Sequence, residues 1–174
     1  MSDLIFVALL FIHIVTVVLW MGASVLMVSV LGPGMAKLSP TTRADFLKIL
    51  GPRFVNYVIR NATVAIVAGL ILYAYIMGFI VPVSMDIAPS SSGMPWIGIG
   101  ILFGLIAYAI GLAFVVRLNR KLFKLMDRAP AQPSSSGGPP TEAQNLQRRI
   151  AMFSGLTALF LALALLSMVV GANL

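Results

Sequence analysis

The chain has 174 residues, 60% of them apolar and only 10% charged, with a net charge of +7. A soluble domain carries about a quarter charged residues, so there is too little polar surface here for a water-soluble globule, and lipid is the expected solvent. The absence of cysteine excludes a disulfide framework, a thiolate metal site and an iron–sulfur cluster.

The first apolar run covers 4–31, longer than the about 20 residues a bilayer core needs and too long for a signal-peptide core, so it reads as a retained helix. Gly32, Pro33 and Gly34 are expected to stop it. Ser39 and Pro40 follow as an N-cap and first-turn pair. Phe46, Leu47, Ile49 and Leu50, set against Arg43, Asp45 and Lys48, predict a short helix lying in the membrane interface between the first two spans. Gly51 and Pro52 should end it.

The second span is expected over 53–81, closed by Pro82. Its mixed first turns place Arg53, Asn56 and Arg60 at headgroup depth. The third begins near Trp96, crosses over 96–118 and protrudes to Arg128. Residues 129–140, rich in Pro, Ser and Gly, read as a flexible cytoplasmic linker. Thr141 with Gln144 resembles a capping box, and the fourth span covers 149–171. The fold class is therefore an all-α membrane protein, a single four-transmembrane-helix bundle.

Every Lys and Arg falls in 37–60 or 117–149, between apolar runs. Such clusters orient the chain and attract anionic lipid headgroups; they do not make a nucleic-acid surface. The opposite side carries only Asp3 and Asp86. The positive-inside rule then predicts both termini outside and both basic loops in the cytoplasm, in a multi-pass plasma-membrane protein. Small residues recur along the third span (Gly100, Gly104, Ala107, Gly111) and the fourth (Ser154, Ala158, Ala162). They serve either close packing within the bundle or a homodimer contact.

Candidate chemistry is sparse. His13 is the one histidine, about ten residues, or ~13 Å, into the first helix. Thr16, Trp20, Ser24 and Met27 recur on nearly the same face, and a polar stripe belongs inside a bundle. His13 either bonds a neighbouring helix or ligates haem iron or copper. A six-coordinate haem wants a second axial ligand, which would have to be a methionine or come from another chain. Thioethers such as Met21 and Met27 suit Cu(I), though methionine also fills core gaps. Arg60, with Asn56 and Thr63, either snorkels or holds a lipid phosphate or haem propionate. No paired carboxylates, nucleophile triad or phosphate loop supports hydrolysis or ATP use.

The segment FIHIVTVVLWMGASVLMVSVLGPGM sets Trp20 seven residues after His13, then Gly22, then Pro33 at the expected helix end. It resembles the opening helix of the copper-resistance D (CopD) family. The following LKILGPRFVNYVIR and the run Gly69 to Leu72 are similar to that family's second segment. The resemblance covers roughly the first 75 residues and implies copper handling or a membrane redox cofactor, with His13 as the matching ligand and Trp20 and Gly22 shaping the helix contact. The HemJ-type protoporphyrinogen oxidases share the His-x6-Trp start and a four-helix plan, but there an arginine follows the proline where this chain has Gly34. The expectation is a CopD-like protein binding copper or haem b through His13. The alternative is a non-catalytic accessory subunit of a larger membrane complex, holding no cofactor.

Overall fold

The structure is a computed structural model describing residues 2–79, 92–128 and 141–174. The expected linker and most of the loop containing Met85 and Asp86 lie outside the described residues, as does the Thr141 side chain of the expected capping box. The described residues are helical almost throughout. Four helices are long and apolar enough to cross a membrane: Leu4–Ala36, Thr41–Ile76, Met94–Leu125 and Glu142–Asn173. Large apolar side chains such as Leu4, Phe11, Leu102 and Leu166 are more than half exposed on these helices, the surface a chain presents to lipid.

The first span departs from expectation at its end. Helix α1 (Ser2–Leu26) does not stop at Gly32; it passes through a π-helical segment (Met27–Leu31) into α2 (Gly32–Ala36). A proline inside a helix lacks an amide and drives its ring toward the carbonyl four residues back. The wider π turn, in which the Gly32 amide reaches the Met27 carbonyl, lets the chain carry Pro33 without breaking. The stop comes at 37–39. Arg43 caps it, its guanidinium donating to the carbonyls of Met35 at 2.8 Å and Ala36 at 3.0 Å.

The separate interfacial helix is not found. Helix α3 (Pro40–Ile76) runs unbroken through Gly51 and Pro52. Buried Leu47 and the Phe123 ring, which lies against Gly51 where a side chain would otherwise stand, hold this stretch on the bundle. Its start is as expected: the Ser39 hydroxyl accepts from the Thr42 amide. Its end is earlier than the expected 81. Gly78 adopts φ +73°, its amide bonds the Tyr75 carbonyl and the Phe79 amide bonds Ala74. This Schellman closure needs a residue tolerant of the left-handed region.

The third span comprises α4 (Met94–Ile110), a second π segment (Gly111–Val116) and α5 (Arg117–Arg128). The fourth is α6 (Thr141–Asn173). The spans associate as two antiparallel hairpins, α1 on α3 and α4 on α6, with looser packing between the pairs. In the second hairpin Gly100 admits Met168 and the Ala164 carbonyl, and Gly171 admits the Gly93 carbonyl and Ile97. Gly100, Gly104 and Ala107 are buried as the small-residue stripe required. On α6 the buried face is Ser154, Thr157, Leu161, Ala164 and Ser167, so Ala162 turns outward. Beyond the apolar core, Leu122, Leu146 and Ile150 pack the basic ends of α5 and α6 together.

Candidate functional site

His13 sits half-buried on the seam between α1 and α3. Its Nδ1 lies 2.8 Å from the Ala65 carbonyl. A carbonyl only accepts, so Nδ1 carries the proton and Nε2 presents its lone pair. The ring lies across Gly69, one turn on from Ala65; a β-carbon there would stand 2.7 Å from Cε1 and 2.9 Å from Nδ1. Glycine is required at 69 because the imidazole occupies the space. Nε2 has no hydrogen-bond partner among the described residues. A histidine whose Nδ1–H is fixed by a backbone carbonyl is the arrangement that orients Nε2 toward a metal.

The rest of the polar stripe faces inward. Thr16 is half-buried and donates back to Ile12 and His13. Ser24 is buried and donates to Trp20. Trp20 is 3% exposed at the centre of the core and meets Tyr108 edge-on at 84°. Tyr108 in turn exchanges a 3.0 Å hydrogen bond with Thr63.

The expected ligand set does not converge. Met21 is eight residues from His13 and Met27 fourteen, so they lie about 12 and 21 Å further along the helix axis. Met21 packs against the core around Trp20, and Met27 lines a cavity at the basic end. Among the described residues no three His, Cys, Asp or Glu side chains cluster as metal ligands. Among the described residues, Met21 and Met27 do not join His13 as a soft thioether set for Cu(I). Arg60 is exposed, as is Asn56, whereas Thr63 turns inward to Tyr108; the three do not form one site.

The cavity is the feature the sequence did not announce. It has a volume of about 490 Å³ and opens between the two hairpins at the basic end. Trp20, Ala62 and Tyr108 contribute to its deep wall, Met35, Phe46 and Arg53 to the end near the basic loop. Both π segments border it, through Met27 and Leu31 on one side and Gly111, Leu112, Val115 and Val116 on the other. The partial signal in the sequence is Ser154, one of the small residues of the fourth span; it is a buried residue on the cavity wall. Comparison with protein-family models, with curated proteins and with solved structures finds no match to this chain.

Proposed function

We propose that this chain is a multi-pass plasma-membrane protein that binds haem b or copper through His13 Nε2, in copper handling or membrane electron transfer. One observation carries the reading: Nδ1 is committed to the Ala65 carbonyl while Nε2 has no partner among the described residues. The likeness of the first helix to the CopD family supports it. Bound there, either group supplies one-electron exchange at a point inside the apolar span. The chain's own part is to fix the imidazole tautomer through Ala65 and to seat the ring on Gly69. With no second strong ligand beside His13 among the described residues, a further ligand would come from a second copy or another subunit.

An absorption spectrum of the natively purified full chain tests this. A Soret band or stoichiometric copper is expected, and its loss in His13→Ala. Absence of both after expression with haem and copper supplied overturns the proposal. The accessory-subunit reading draws on the same unpartnered Nε2, which would then bond a neighbouring subunit. It requires other subunits to co-purify in native detergent, and a stable lone chain counts against it.

We further propose that the basic loops face the cytoplasm, from the one-sided placement of Lys and Arg. With no native thiol, Ser91→Cys should react with an impermeant maleimide in intact cells and Ser135→Cys only after the membrane is opened. The reverse pattern overturns the orientation.

A further inference from the structure

We propose that the cavity between the two hairpins holds one acyl chain of an anionic phospholipid, with the phosphate on Arg53. This site is separate from His13 and does not depend on it. Its size, about 490 Å³, lies within the roughly 300–1,000 Å³ of sites that enclose small ligands. The lining is overwhelmingly apolar, from Leu31 and Met27 on the first span to Leu112 and Val116 on the third. That composition takes a hydrocarbon chain and rejects a water-soluble metabolite.

The polar groups on the wall define the other half of the ligand. Arg53 lines the cavity, is exposed, and has no ion-pair partner among the described residues. Ser154 is only 9% exposed and lines the cavity, yet its hydroxyl has no hydrogen-bond partner among the described residues. The comparison within α6 makes this stand out: Thr157 and Ser167 each donate to the carbonyl one turn back, at 2.9 and 2.8 Å. An unpartnered guanidinium only donates, and a hydroxyl can donate as well as accept. They call for a ligand whose polar end accepts and is negative.

Depth agrees with that order. Gly51 meets Phe123, and α3 and α5 run antiparallel, which places Arg53 near the level of Lys121. Phe153 stacks on Phe114 at 4.4 Å, which places Ser154 deeper. A phosphate on Arg53, an ester carbonyl on Ser154 and a chain running on toward Trp20 follow one line inward. The two π segments that flank the cavity fit the same account, since such bulges recur where a helix is shaped for a ligand.

Trp20 on the deep wall is the reporter. With Trp96→Phe, the full chain keeps a single tryptophan, and it is reconstituted in phosphatidylcholine vesicles. Phosphatidylglycerol brominated on its acyl chains should quench Trp20 saturably, at a mole fraction about five-fold lower than brominated phosphatidylcholine, the size expected of one cation at a headgroup. Arg53→Gln should erase that preference. Gly111→Leu should fill the cavity and abolish the saturable quenching; nothing stands within 4 Å of a β-carbon at 111, so the helix accepts it, and unchanged far-ultraviolet helicity checks the fold. Equal quenching by the two lipids, or saturable quenching that survives Gly111→Leu in a helical protein, overturns the proposal. Relief of quenching by inorganic phosphate would mean the site reads the anion alone, and overturns it equally.

Discussion

The two ends of the bundle use the same small residues to opposite ends. Away from the basic loops the helices close on one another. Gly69 receives the His13 ring, Gly100 receives Met168, and Gly171 lies against the Gly93 carbonyl and Ile97. Toward the basic loops a cavity lies between the hairpins, and Gly111 faces open space on its wall. Without a water-driven force between helices in lipid, association depends on close backbone approach and a few polar contacts. At the basic end the close approach is confined to the extremity, where the Phe123 ring lies on Gly51 and Leu122, Leu146 and Ile150 pack together, and the cavity lies between that layer and the core around Trp20.

Trp20 stands at the boundary between the two ends, and its removal is the largest expected perturbation. In a soluble core a Trp→Ala change costs about 3–5 kcal/mol; here lipid lessens the transfer component, and about 3 kcal/mol is expected for Trp20→Ala in denaturant titration in mild detergent. A loss below about 1 kcal/mol would mean that the two hairpins are held without it. Next comes a paired test of the glycines. A β-carbon at 171 would stand 2.8 Å from a backbone carbonyl oxygen, so Gly171→Ala should cost about 1–3 kcal/mol by overpacking. Gly111→Ala meets nothing and should be neutral or stabilising by about 0.5 kcal/mol, the helical preference of alanine over glycine. Equal costs at the two positions would erase the distinction between closed and open ends.

Away from that contrast, Ser39→Ala removes the hydroxyl that accepts from the Thr42 amide. Loss of such a cap costs about 1 kcal/mol, read in the same titration.

The four spans were legible because apolar runs of this length admit few other readings, and the Ser39 cap because its chemistry is local. The helix ends at Pro33 and Pro52 were not. A proline usually ends a helix, and what overrides it lies elsewhere: a π turn five residues wide at Met27–Leu31, and the distant Phe123 ring on Gly51. Gly78, not Pro82, closes α3, and nothing local ranked one above the other. At the candidate site, periodicity placed His13, Trp20 and Ser24 inward. The Ala65 carbonyl that fixes His13 could not be read, since it depends on the register of α1 against α3. Met21 and Met27 were grouped with His13 by proximity in the chain, whereas the rise of the helix separates them. The cavity is lined by residues of both hairpins, a property that belongs to no single segment.

The smallest effect tests the join between those hairpins. Thr63 on α3 and Tyr108 on α4 share a 3.0 Å hydrogen bond, and Tyr108 also abuts Trp20 edge-on at a centroid distance of 6.3 Å. Side-chain hydrogen bonds between spans average about 0.6 kcal/mol, so Thr63→Val should cost about that much. Tyr108→Phe keeps the ring against Trp20 and loses only the hydroxyl, so it should cost the same. If the two groups act through one bond, the double variant should cost no more than either single one, because residues sharing a partner are not additive. A double variant whose loss equals the sum of the singles would show that the bond does not couple the hairpins. The contact between them would then rest on the Trp20 and Tyr108 rings alone, and the cavity beneath those rings would be free to widen.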